Sequence, residues 1–98
     1  MINVVATGKV KKECIEEYKK IASELVGETK KENGCLAYDL FQDIDCETTL
    51  VFLESWESQA HLDAHMQSEH FKRIVPLLDK LKEPGGAGGV TLYRLCAR

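Results

Sequence analysis

The sequence predicts an α+β fold of the ferredoxin-like kind, a βαββαβ sandwich with an antiparallel four-stranded sheet and helices on one face. Three observations carry that expectation. An alternating apolar run opens the chain and gives way to a long run of helical period; two alternating runs close as a hairpin; a second helical region is followed by a last β-rich run. Both faces of the hairpin strands carry apolar groups. A cover is therefore expected over the second face, most economically another protomer.

The first strand runs from Ile2 to Val10, with Ile2, Val4, Ala6, Gly8 and Val10 on one side and Asn3, Val5, Thr7 and Lys9 on the other. Between Lys11 and Glu32 the period changes, because Ile15, Tyr18, Ala22 and Leu25 recur at helical spacing among charged residues. Asn33-Gly34 supplies the left-handed turn that closes a helix. Two strands are expected at Cys35–Asp43 and Thr48–Glu57. In the first, Leu36, Tyr38 and Leu40 share a face; in the second, Leu50, Phe52 and Trp56 oppose Val51 and Leu53. Ser58 and Ser68 are placed to cap two helical pieces, and Pro76 predicts a kink or restart near Val75. The glycine-rich 83–89 stretch predicts a flexible connection, and Val90 to Cys96 the last strand.

The chain has 98 residues, 44% of them hydrophobic and 30% charged, and reads as one domain over residues 1–98. With 13 Lys and Arg against 16 Asp and Glu, it offers no positive field to hold a polyphosphate, which argues against nucleic acid. No apolar run has the length of a membrane span and no leader pattern opens the sequence, so the cytoplasm is the expected compartment. Cys14, Cys35, Cys46 and Cys96 are widely spaced without a C-x-x-C pair, which predicts reduced thiols and no structural zinc.

Polar chemistry concentrates between Glu54 and Phe71, where all three histidines fall. His61 and His65 sit four residues apart with Glu69 one turn on, a helical face that has to be weighed as a metal site. The position after His61 is Leu62, however, and not the glutamate of a zinc-protease helix, so no metal is expected. His65 reads as a general base, since imidazole takes a proton near neutral pH without a metal, or as a satisfied histidine at the helix–sheet boundary. Trp56 reads as a core anchor or as a flat wall for an aromatic substrate. Glu54 alternates with it on an apolar face, where a carboxylate needs a partner or a raised pKa. Tyr38 and His70 are further candidates to line a cavity, and Cys46 in the hairpin is a remote candidate for redox sensing. No glycine-rich phosphate loop or nucleophile elbow is present, so no flavin or nicotinamide cofactor is expected.

The segments Gly34-Cys35-Leu36-Ala37-Tyr38, Glu54-Ser55-Trp56-Glu57-Ser58, Ala60-His61-Leu62-Asp63-Ala64-His65 and Ser68-Glu69-His70-Phe71 resemble the antibiotic biosynthesis monooxygenase family, and most closely its small quinol-monooxygenase branch. The resemblance implies a homodimer whose two sheets pack face to face as a dimeric α/β barrel, and a cofactor-independent oxidation of a quinol or phenolic aromatic substrate by O₂. It places His65 as the catalytic base and Trp56, His70, Glu54 and Tyr38 as substrate contacts. Thr7, His65 and Val75 stand where the haem-degrading branch has Asn, Trp and His, and Phe52 where the anthrone oxygenases have Asn. Neither of those activities is therefore expected. A non-oxygenase isomerase and a non-catalytic dimer that binds a small aromatic ligand are the alternatives.

Overall fold

The computed structural model describes residues 1–85 and 88–98. Its elements are β1 (Ile2–Lys9), a 3-10 turn at Lys12–Cys14, α1 (Ile15–Thr29), β2 (Cys35–Gln42), β3 (Thr49–Trp56), α2 (Gln59–Met66), α3 (Glu69–Asp79) and β4 (Gly89–Arg94). The strands form one sheet in the order β2-β3-β1-β4, with every neighbouring pair antiparallel. This is the expected α+β ferredoxin-like arrangement. The helices cover one face, where Val4, Tyr38, Leu50, Phe52 and Trp56 of the sheet meet Tyr18, Ala22, Leu25, Leu62, Ile74 and Leu78.

The first helix is shorter than its periodicity implied. Lys12–Cys14 is a 3-10 turn, and the α-helix ends at Thr29, with Gly34 at φ +82° in the turn that follows. That turn is fixed to the start of α2. The Glu57 amide donates to the Gly34 carbonyl at 2.9 Å, and the His61 ring packs so closely over Gly34 that a Cβ there would fall 2.2 Å from it. Glycine is thus required twice at one position, for its backbone conformation and for its missing side chain.

Leu36 does not share the core face with Tyr38. The β2–β3 register shifts between Cys35 and Ala37, so that Cys35 lies opposite Trp56 and Ala37 opposite Ser55. Leu36 is the extra residue of a bulge and is exposed, while Cys35 packs against the core in its place. A bulge inverts the alternation on one side of itself, and period alone cannot reveal that.

The break between the last two helices falls where Ser68 indicated it, and no restart follows at Val75. Ser58 and Ser68 cap α2 and α3 as their sequence positions indicated, accepting the amides of His61 and Phe71. The interruption falls at Gln67–Ser68, and α3 continues through Pro76. Pro76 and Lys72 are both exposed, so the carbonyl that loses its amide partner is open to water. Residues 86–87, part of the expected flexible connection, lie outside the described residues.

The sheet's other face is unlike a solvated surface. Phe41, Leu53 and Tyr93 on it are 50%, 39% and 55% exposed, and Val5 and Val51 lie among them half-buried. Every residue of the edge strand β4 is exposed as well. Among the described residues no helix is long and apolar enough to cross a membrane. The four cysteines are all free thiols.

Candidate active site

Between the core face of the sheet and the helices lies a cavity of about 320 Å³, within the usual range for a small-molecule site. Its walls are mostly apolar, with Val4, Phe52, Leu62, Phe71, Val75 and Leu92 among them. Polar groups gather towards two ends. Glu54 lies opposite Val4 in the sheet and beside Tyr38, and His65 adjoins Tyr38 with ring centroids 5.3 Å apart. Four residues along β1, about 13 Å at strand rise, the Tyr18 hydroxyl and the Lys82 stem lie over Gly8. Asp79 pairs with Lys82 at 2.9 Å.

His65 is buried on α2 with its ring held from three sides, by Trp56 at 4.7 Å, Phe71 at 5.0 Å and Tyr38. Its Nδ1 lies 2.7 Å from Glu32 Oε2, and the same oxygen lies 2.6 Å from His70 Nε2. Burial pushes the imidazole below its ordinary pKa of 6.5, opposed by Glu32 and reinforced by His70. The neutral ring is therefore favoured at neutral pH. A carboxylate only accepts, so with Glu32 as carboxylate the proton of neutral His65 sits on Nδ1. Nε2 then keeps its lone pair.

Glu54 presents the opposite environment. It is buried on the core face, and its Oε1 accepts from Trp56 Nε1 at 2.9 Å. Desolvation pushes its pKa from 4.5 up to about 7, against the stabilising Trp56 hydrogen bond and with a further rise from Glu32. A carboxyl of that kind holds a proton through mildly acidic pH and can donate into the cavity. Tyr38 is held protonated well above its ordinary range, by burial first and by Glu54 next. Tyr18 is raised to about 12, by burial and by Asp79.

The structure thus brings His65, Glu54 and Tyr38 together on the cavity wall. Trp56 and His70 do not line it. Trp56 is fully buried behind the His65 ring and acts on the cavity through Glu54, while His70 meets Glu32 on the far side of His65. His61 lies apart, half-buried over Gly34 with Ser58 Oγ 2.8 Å from its Nδ1. The helix break at Ser68 turns Glu69 towards Arg73, so the grouping of His61, His65 and Glu69 weighed from helical spacing does not form. Cys46 accepts from the Thr49 hydroxyl and lies beside that of Thr48; hydrogen bonding lowers its thiol pKa.

Glu32 escaped the sequence reading, which saw it as one more charge on an amphipathic helix. Its only local mark is its place two residues before Gly34, in the turn that His61 and Glu57 fasten beside α2. Glu32, His65 and His70 are also the group, among the described residues, with the ligand types and proximity that a metal requires. The group is nevertheless closed on itself by contacts of 2.6 and 2.7 Å. An ion about 2.0–2.2 Å from each donor would have to push those atoms apart, and it would sit behind the His65 ring and away from the cavity.

A ferredoxin-like sheet that holds a neutral imidazole and a protonatable carboxyl against an apolar cavity defines a small-molecule site on an α+β scaffold. The chain belongs to the antibiotic biosynthesis monooxygenase family, whose sequence profile matches residues 1–77. It is 39% identical over 75 residues to a Bacillus subtilis (strain 168) protein provisionally named monooxygenase YcnE, a match spanning 76% of this chain and 79% of that one. An Escherichia coli (strain K12) protein provisionally named quinol monooxygenase YgiN is 35% identical over 60 residues, covering 51% of this chain and 56% of its own length. Among solved structures, an antibiotic biosynthesis monooxygenase superposes with a TM-score of 0.91 at 38% identity, covering 99% of this chain and all of the other. A conserved protein of Methanosarcina mazei Go1 superposes at 0.90 with 36% identity, covering 95% of this chain and 90% of its own.

Proposed function

We propose that this chain, as one domain, is a cofactor-independent monooxygenase that oxidises a quinol or phenolic aromatic substrate with O₂ and uses His65 as its base. The observation that carries the reading is the Glu32–His65 pair at 2.7 Å, which orients a neutral buried imidazole whose ring lines an apolar cavity. His65 Nε2 takes the proton of a phenolic hydroxyl. The resulting phenolate is electron-rich enough to pass an electron to O₂, and the two radicals combine. One oxygen atom enters the ring and the other leaves as water, so the substrate itself supplies the electrons. The walls exclude bulk water and fix the ring's orientation. Glu54 and Tyr38, each able to donate, hold the substrate's oxygens. The spread of polar groups along β1 suits an aromatic with oxygen at both ends better than a single phenol.

A second copy is proposed to cover the outer face of the sheet, because Phe41, Leu53 and Tyr93 form an apolar surface there that water does not favour. Sedimentation equilibrium at micromolar concentration tests this, and a monomer refutes it. The activity is tested by oxygen uptake with hydroquinones and naphthohydroquinones, corrected for spontaneous oxidation. Uptake above background in the wild type and its loss in His65→Ala is the expected result. Tight binding of the same compounds without uptake would refute the oxygenase reading.

A further inference from the structure

A base buried at the wall of an apolar cavity needs a way to pass its proton to solvent. The His65 side chain is 2% exposed, whereas Glu32 and His70 are each 16% exposed. Exposure therefore rises outward from the cavity through a single carboxylate oxygen to a second imidazole. Neither Glu32 nor His70 lines the cavity, so substrate contact does not account for their convergence on Oε2. Packing does not either, since apolar side chains would fill the same rim without the desolvation that two rings and a carboxylate incur.

We propose that Glu32 and His70 are the proton exit of the active site, coupling His65 to solvent. The inference rests on the reading of His65 as the base. Before reaction Glu32 is ionised, His65 carries hydrogen on Nδ1 alone, and His70 is an imidazolium whose Nε2–H donates to Glu32. The substrate's O–H bond breaks as an N–H bond forms at His65 Nε2. His70 then gives its Nδ1 proton to water or a buffer base. Once that proton has left, the cluster again holds one carboxylate and one imidazolium, and the charge has moved from His70 to His65. No proton has to cross the carboxylate and no oxidant is consumed. The reverse sequence returns the proton that the departing water takes. An imidazolium at His65 also faces the new phenolate, which favours its formation.

The titratable groups around His65 are Glu32 from the α1–β2 turn, Cys35 and Tyr38 from β2, Glu54 from β3 and His70 from α3. Cys35 and Tyr38 are held protonated by burial, so Glu54 is the group whose titration must be separated from the cluster's. A Glu54→Gln background does this.

The test is oxygen uptake by His70→Ala in a weakly basic buffer of low concentration at constant ionic strength. kcat is expected to fall on the order of tenfold to a hundredfold with KM little changed, and to return as free imidazole is added. Glu32→Gln, which keeps the side chain's shape, should lower kcat without recovery, because imidazole in solution cannot restore the His65 tautomer. A His70→Ala protein with wild-type kcat at low buffer, or one whose loss imidazole does not repair, overturns the proton exit. Failure of the underlying reading looks different, since it leaves His65→Ala fully active or the wild type without uptake. In the latter case ¹⁵N chemical shifts of the wild-type rings decide at pH 7. The proposal requires His65 protonated on Nδ1 alone and His70 on both nitrogens, and any other pattern overturns it.

Discussion

Replacing Glu54 by Gln isolates what it costs to hold a carboxyl on the core face. In the folded chain its pKa stands at about 7 against the ordinary 4.5. At about 1.4 kcal/mol per tenfold change in proton affinity, that difference is worth about 3 kcal/mol. The sign follows from which state holds the proton more firmly. Between pH 4.5 and 7 the folded chain keeps the Glu54 proton and the unfolded chain releases it. The contribution to stability is thus fully present below 4.5 and lost as pH rises through about 7. His65 acts in the opposite sense, since a lowered imidazole pKa makes stability rise with pH up to about 6.5. The wild type's own profile therefore mixes the two. The difference between wild type and Glu54→Gln removes the His65 part, and Gln can still accept from Trp56 Nε1. Urea unfolding of both proteins at pH 4.5 and at pH 8 should show Gln gaining about 3 kcal/mol on the wild type across that interval. For a chain of this size, 1 kcal/mol moves Tm by roughly 4–8 °C, so a thermal scan resolves the effect. A difference that stays constant within about 0.5 kcal/mol would refute the claim that burial governs this carboxyl.

Gly34→Ala places a side chain at φ +82° and 2.2 Å from the His61 ring; it should destabilise the fold by about 1–3 kcal/mol from backbone strain alone, measured by urea unfolding. The acid limb of kcat/KM should fall below pH 6.5, because burial favours neutral His65, and a limb in the ordinary histidine range or above it would count against the buried base. A second inflection near pH 7 from Glu54 should vanish in Glu54→Gln. Extended dialysis against a chelator should leave oxygen uptake unchanged, and dependence of uptake on re-added metal would reassign the Glu32–His65–His70 cluster.

What the sequence made legible was local. Ser58 and Ser68 announce their helices because a cap is satisfied within three residues, and Asn33-Gly34 announces its turn because the positive φ it needs is a local property of the residue. Glu54 stands out on β3 because strand alternation is strict there and places a carboxyl between Phe52 and Trp56. Leu36 was misplaced because the bulge that exposes it arises from pairing with β3 and leaves no trace in β2 itself. Pro76 does not restart the helix, for a related reason. The cost of a helical proline depends on whether the freed carbonyl meets water, and that is settled by which face of α3 packs. His65 could be proposed as a base from its residue type, but Glu32 lies 33 residues earlier and reaches it only because His61 and Glu57 fasten the Gly34 turn beside α2.

That fastening also links stability to chemistry. His61 takes no part in the cavity, yet its ring over Gly34 fixes the height at which Glu32 enters the space beside α2, and so the tautomer of a histidine one helical turn away. The Glu32 and Glu54 carboxyl groups are set apart by environment. Glu32 is at the rim, where it meets two imidazoles and can accept from both; Glu54 is buried on the core face of the sheet, where desolvation lets it keep a proton and donate. Acid and base functions at one pH require such a division. On the proposed reading, a 98-residue chain achieves it with one carboxylate from a turn, beside the imidazole, and one from a strand, on the cavity wall. Exchanging their environments would leave every residue type in place and, on the proposed reading, remove the activity: a solvated Glu54 would not donate, and a protonated Glu32 would free His65 to take the wrong tautomer.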